Sequence, residues 1–434
     1  MPRVWRAGVL VLHLAACAGA EPRQEVHGQS APAAPLAWSR PAPLVRGPTV
    51  LFRAPVVAIS DSAGYVLSGP PTRRVQARPG DPAADADRFL AIRIGGRSIP
   101  PPPGTFAFVF PQAAVDPRGA LHVVWAEPAA PAELDTAGDL RRVRLGSLWH
   151  AAYDGRGWSP PASILEEARI DWDPARASGL VLDGEGHLHL AVGGEDRAGR
   201  WMLAHLRRRG GAWSRADVRP AAPVVYVDLA AGPAGRVAVA YVSSHRDGAG
   251  FHQNALFTVH SADGGETWDA HRPLGGPDTW PASEPRIAMG PGGTEHVVWT
   301  RTLPGAFDSE GLWHAGSADG GATWSSLAVA PLWGLTDGKR VVVDRAGSVH
   351  AVLVRYHDRR ADLAYTRFAD GRWTPLVPVV PGRMGAAPTL RIDGRDRLHL
   401  AWIAQPAGVD VPTNPSPGDT VPWFEMVHAT AAAR

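Results

Sequence analysis

The chain has 434 residues, of which 48 are Gly and 42 are Pro, so one in five disfavours a helix interior and a helical bundle or solenoid is excluded. With 17 Trp and 45% hydrophobic residues it is not a disordered chain either. Formal charge is nearly balanced at +2, with 44 basic and 42 acidic residues spread along the length, and this gives no electrostatic footprint for nucleic acid.

At the N-terminus, Arg3 and Arg6 precede an apolar run from Ala7 to Ala16. This has the n-region and h-region of a secretory signal, and it is too short to span a bilayer. The run ends in Leu14-Ala15-Ala16-Cys17, and Cys17 is the only cysteine, which excludes a disulfide framework or a zinc–thiolate site. Leu-Ala-Ala-Cys resembles the lipobox of bacterial lipoproteins. The resemblance implies cleavage before Cys17, lipidation of Cys17 and an extracytoplasmic protein tethered to a membrane of the bacterial envelope by acyl chains. Residues 1–16 are then the signal peptide, 17–34 a flexible tether and 35–434 a single domain. The other reading is an ordinary signal peptide with an incidental Cys. No later segment is apolar enough to cross a membrane.

Beyond the tether one unit recurs seven times: a turn opened by Asp or Gly, then a short β-rich run that often holds His and Trp. The copies open at Asp61, Asp116, Asp183, Gly232, Gly290, Asp344 and Asp393, spaced by 49 to 67 residues. That period suits a four-stranded blade and is too long for leucine-rich or tetratricopeptide repeats. Short strands flank each turn, as in Pro285-Arg-Ile-Ala288 and His296-Val-Val-Trp299, so each pair is a hairpin. The expected fold is all-β: a β-propeller of four-stranded antiparallel blades, with seven favoured and six the alternative.

A second phrase closes most units. Ser261-Ala-Asp263-Gly-Gly265-Glu-Thr267-Trp268 and Ser317-Ala-Asp319-Gly-Gly321-Ala-Thr323-Trp324 lie 56 residues apart and are nearly identical. Both resemble the Asp box of sialidase-type β-propellers. Such a box is a folding element between outer strands: the Asp carboxylate caps turn N–H groups, Gly takes the left-handed conformation, and Trp packs over the turn. Weaker copies end at Trp158, Trp213 and Trp373. The last unit runs from Phe424 to Thr430 and stops before any such Trp. Leu36-Ala-Trp38-Ser39-Arg40-Pro41 looks like the missing outer strand, so the N-terminal segment is expected to complete the final blade and close the ring.

Five histidines, His122, His189, His296, His350 and His399, fill one column of the repeat. A radial metal ring is conceivable there, but repetition in a structural column reads first as packing with a satisfied ring nitrogen. No metal or other cofactor is implied.

Phe52-Arg53-Ala54-Pro55 is similar to the Phe-Arg-Ile-Pro motif that opens sialidases, with Ala in place of Ile. That resemblance implies an exo-sialidase-type site in the funnel of the ring. Arg53, Arg301 and Arg355 would clamp the substrate carboxylate, a planar anion suited to bidentate guanidinium pairing. Asp81 or Asp85, just beyond Arg73, Arg74 and Arg78, would be the general acid/base, and Glu284 would stand beside a Tyr nucleophile. The pattern breaks at that nucleophile, because no Tyr lies near Gly385-Ala386-Ala387-Pro388, and Tyr356, next to Arg355 on a strand, should point to the opposite face. Polysaccharide lyases built on propellers use His, Tyr and Arg, and Tyr241, His245, Arg246 and His252 are the residues that could be read that way. The expectation from sequence is a monomer that recognises an extracellular glycan, with sialidase-type hydrolysis open. The alternative is a non-catalytic propeller that engages an envelope protein.

Overall fold

The computed structural model describes residues 36–47, 55–68, 90–96, 98–104, 109–128, 145–170, 178–196, 198–218, 220, 222–246, 252–275, 282–302, 309–334, 338–357, 360–383, 385–404 and 424–433. The signal peptide, the tether and Cys17 lie outside them, as do Arg53, Arg73, Arg74, Arg78, Asp81 and Asp85. Among the described residues no helix is long and apolar enough to cross a membrane.

The structure is a seven-bladed β-propeller. Innermost strands begin blades 1 to 7 at Val56–Ile59, Val109–Val115, Val181–Leu182, Val224–Ala231, Ala282–Met289, Arg340–Val343 and Gly385–Ile392. Each pairs antiparallel with its successor, and in blades 2 to 7 the second strand pairs with a long third one, as Glu295–Thr302 does with Ser309–Ser317. Outer strands vary. In blade 4 the outer strand is only Arg272–Pro273, and in blade 1 a bridge from Ser98 to Ile92 takes its place. Innermost strands of successive blades touch all the way round, blade 7 meeting blade 1 again. That closed contact settles the count at seven.

Second strands explain why the repeats read as unbroken apolar runs. Leu121 to Ala126 are all buried, and Leu398 to Ala404 likewise, because each blade is covered on both faces by its neighbours. Trp125 and Trp299 are fully buried in this layer, each directly opposite a second Trp, Trp149 and Trp313, on the third strand.

The ring closes through the N-terminus as the sequence indicates, with one shift. The closing strand is Ala42–Gly47, paired with Phe424–Ala432, rather than residues 36–41. The Trp38 segment runs ahead of it, with Ser39 N donating to Thr430 O at 2.7 Å and Thr430 N donating to Ser39 Oγ at 3.0 Å. Trp38 lies edge-on to Tyr365 of blade 6, centroids 6.0 Å apart. Trp213 of blade 3 meets His150 of blade 2 in the same way, Trp268 of blade 4 meets His205 of blade 3, and Trp373 of blade 6 meets His314 of blade 5. Trp38 thus fills the slot that an Asp-box Trp fills elsewhere.

In both Asp boxes the carboxylate does the capping. Asp263 Oδ1 accepts from the N–H groups of Glu266 and Thr267 and from Ser261 Oγ, while Oδ2 accepts from Thr267 Oγ1 at 2.6 Å. Asp319 repeats the arrangement with Ser317 and Thr323. Gly265 and Gly321 have positive φ (88° and 80°), and a Cβ on either would enter the ring of His205 or His260 from the preceding blade. The box therefore joins blades as well as closing a hairpin.

The histidine column is packing with satisfied nitrogens. His189 Nε2 lies 3.2 Å from Asp183 Oδ2, and its Nδ1 lies 3.0 Å from Nε2 of His205. Asp393, His399 and His428 form the same chain, and Asp344 and His350 end theirs on the Tyr365 hydroxyl. An ionised carboxylate must receive a proton, so the first imidazole donates from Nε2 and accepts at Nδ1, and the second donates from Nε2. Both rings are then neutral. Burial, reinforced by the neighbouring ring, pushes His150, His205 and His314 down to about 3, and burial holds His296 and His428 at about 4.

These groups bind protons near 6.5 when unfolded and only near 3 to 4 when folded. Their contribution is complete above pH 6.5 and is lost as pH falls from there toward 4. Asp183, Asp344 and Asp393 have depressed pKa values despite burial, so their share is present above 3.8 and lost only below it. Lowering pH from 7 to 5 should cost about 2 kcal/mol per buried ring and lower Tm by on the order of 10 °C. Calorimetry across that window is the check, and a flat Tm would contradict neutral buried imidazoles.

Candidate functional site

Antiparallel pairing sets the start of each innermost strand beside the end of the second, as Ala282 is beside Arg301 and Gly385 beside Ala404. All these positions share one end of the ring, called the upper face here, and the Asp-led turns and Asp boxes occupy the other. Glu284, Arg301, Arg355 and Tyr356 all belong to the upper face, in blades 5 and 6.

Arg355 and Glu284 each have partners within the protein. Arg355 pairs bidentately with Asp362 on the next strand of its own blade, Nε to Oδ1 at 3.2 Å and Nη2 to Oδ2 at 2.8 Å, and this pairing raises its already high pKa. An incoming carboxylate would have to displace Asp362. Tyr356 follows Arg355 in the strand and stands opposite Ala361 in register. Glu284 Oε2 accepts from Gly338 N at 3.0 Å and from Lys339 Nζ at 3.2 Å, both from blade 6. Burial raises the Glu284 pKa, but Lys339, Arg286, Arg340 and the Gly338 N–H outweigh it and hold the carboxyl ionised. Lys339, the only lysine in the chain, is 2% exposed and also donates to Thr300 Oγ1 at 3.0 Å. Tyr241, one of the residues readable as lyase-type, is buried inside blade 4 with its hydroxyl 2.6 Å from His271 Nδ1. Burial pushes its pKa further up.

Glu284 has a left-handed backbone, φ 45°, at an irregularity between Ser283 and Arg286. Ala387 does the same in blade 7, φ 52°, between Ala386 and Thr389, and a Pro follows in both. The innermost strand therefore carries a repeated bulge, which re-aims the residues beyond it.

Those residues form the charged cluster of the axial channel. Asp228 of blade 4 accepts Ile287 N of blade 5 at 3.1 Å, capping an N–H on the unpaired inner edge. Arg286 of blade 5 donates from Nε to Lys339 O at 3.0 Å, and Arg340 of blade 6 donates from Nη1 to the same oxygen at 2.6 Å. Arg391 of blade 7 reaches across the ring, and a Cβ added to Gly179 of blade 3 would lie 3.0 Å from its Nη2. Burial and the nearby Arg286 hold Arg340 down to about 9, against the pull of Glu284 and Asp228. Burial also lowers Arg391, with Arg286 acting in the same sense.

Five of these residues, Asp228, Arg286, Lys339, Arg340 and Arg391, are not singled out by sequence reading. Aligning the seven repeats on their turns would expose most of them. The residue four places before each turn reads Val57, Gln112, Gly179, Asp228, Arg286, Arg340 and Thr389, and its charges are confined to blades 4, 5 and 6.

No family model and no curated protein matches the sequence. Solved structures do match in fold. A polysaccharide lyase described as an ulvan lyase of family PL25 aligns with TM-score 0.53 and 13% identity, over 84% of this chain and 93% of that one. The polysaccharide lyase Uly1 aligns at 0.50 and 11%, over 88% and 90%. The NanB sialidase of Streptococcus pneumoniae aligns less well, at 0.44 and 10%, over 75% and 68%.

Lys339→Met should leave the Glu284 carboxylate enclosed without its principal counter-charge and cost about 3 kcal/mol. Glu284→Gln added to that variant should recover part of the loss. Urea unfolding of the two proteins tests this, and a Lys339→Met protein as stable as the parent would contradict the pairing.

Proposed function

We propose that this protein recognises a negatively charged extracellular glycan at the upper face of its propeller, outside the cytoplasm and anchored by lipid on Cys17. The observation that carries the reading is the excess of cations around the innermost strands among the described residues: Arg286, Lys339, Arg340 and Arg391 against Asp228 and Glu284. A concave, low-dielectric site lined with one sign of charge focuses its field on the solvent at its mouth and draws in anions. Strands of several blades end around that mouth, which is how a ring fold offers an extended binding surface. The shared fold of the polysaccharide lyases accords with a polymeric sugar.

Recognition fits the geometry better than the sialidase reaction does. Glu284 is held by Lys339 and Gly338, and Arg355 by Asp362, so neither group is poised for substrate.

A glycan panel tests the reading on residues 18–434, which contain the whole ring. Uronate- or sulfate-bearing glycans should bind and neutral ones should not, with affinity falling as salt rises. Failure of every glycan to bind ends the reading. A fluorogenic sialoside should not be turned over; turnover that Arg301→Ala abolishes would restore the hydrolase. The anchor has its own test. Cys17→Ser should move the exported protein from the detergent phase to the aqueous phase, and an unchanged partition would refute lipidation.

A further inference from the structure

Three guanidinium groups from three successive blades, Arg286, Arg340 and Arg391, are directed into one channel, and each is close enough to another to oppose its charge. None forms an ion pair within 4 Å with a carboxylate among the described residues. Their hydrogen bonds go to main-chain carbonyls: Arg286 to Lys339 O and Pro285 O, Arg340 to Lys339 O, Arg391 to Leu390 O. A guanidinium has five N–H donors, so most of those on the three groups are unused. Glu284 and then Asp228 pull on Arg340, Asp228 pulls on Arg391, and one oxygen of Asp228 is committed to Ile287 N. Glu284 is committed to Lys339. Some arginines elsewhere in the protein do pair with carboxylates, as Arg200 does with Asp196 and Arg215 with Asp217. The three channel arginines are instead donor-rich and oppose one another's charge.

Like charges held together in a partly dehydrated space cost free energy unless an anion joins them. Arg391 spans from blade 7 to Gly179 of blade 3, where an added Cβ would lie 3.0 Å from its Nη2, so the group reaches across the axis and is not folded against its own blade. Guanidinium forks pair two donors with two oxygens, and a tetrahedral oxyanion can present several oxygens to three forks at once.

We propose that Arg286, Arg340 and Arg391 form an oxyanion-binding site inside the axial channel, taking a sulfate- or phosphate-type group either as a free ion or as a substituent of a bound glycan. The site deepens the glycan reading by naming the group recognised, and its test separates the two.

The probe is inorganic sulfate at constant ionic strength, with residues 18–434 compared with Arg340→Met and Arg391→Met. Sulfate stabilises most proteins by general exclusion, and that part is common to all three. The parent should show an additional saturable rise in Tm and measurable heat of binding. Both variants should lose at least tenfold in sulfate affinity while matching or exceeding the parent Tm without sulfate, because a repulsive charge has been removed. Should one variant prove unstable, Arg391→Lys, which keeps the charge and loses the fork, should show weakened binding at parental stability. Equal sulfate response in parent and variants overturns the site. Displacement of sulfate by a sulfated oligosaccharide identifies the source as glycan-borne; sulfate binding with no glycan bound leaves the site standing and removes the glycan reading. Glycan binding with no sulfate effect removes the site alone.

Discussion

Each blade of this protein is a small antiparallel sheet that is apolar on both faces, and a sheet of that kind can only be stable between two others. The constraint is visible in the second strands, whose buried residues run on without the alternation of a half-exposed strand. Stacking in an open row would leave two bare faces. Bending the row into a ring removes them, and seven blades allow blade 7 to meet blade 1. Joining the two chain ends in one sheet, through Ala42–Gly47 and Phe424–Ala432, ties the ring at the seam where it could otherwise part.

Covering both faces creates a second problem, because turns and strands carry polar groups into the interfaces. The protein solves it with a repeated chain of Asp, His and His, on which an indole from the next blade rests. In the chain of Asp183, His189 and His205 the groups hydrogen-bond one another in sequence, and a chain of this kind is worth more intact than in parts. It also explains why Gly is required in the Asp box: the imidazole of the preceding blade occupies the space a Cβ would need. The same groups make the ring sensitive to acid, since neutrality of the buried imidazoles is a condition of their packing.

Innermost strands leave one backbone edge of each blade facing the axis without a covering sheet. There the repeats diverge. Blades 1 to 3 place Val57, Gln112 and Gly179 at the position where blades 4 to 6 place Asp228, Arg286 and Arg340. The channel is therefore asymmetric in charge although the ring is nearly symmetric in fold, and this asymmetry, rather than the fold, is what gives the molecule a candidate ligand.

Seven turns, two Asp boxes and the stray Trp38 made the propeller and its closure legible from the residues alone, because each is a local pattern set by hairpin geometry and the period of one blade. The histidine column was legible for the same reason, since repetition marks a structural position. Which charges meet was not legible. Arg355 and Asp362 are neighbours on one hairpin, yet their pairing depends on register, and Glu284 finds Lys339 across 55 residues only because adjacent blades pack. Arg286, Arg340 and Arg391 look like unremarkable strand arginines in a chain rich in arginine. Only the closing of the ring, a non-local event, carries them to a common axis, where proximity turns three ordinary cations into one site.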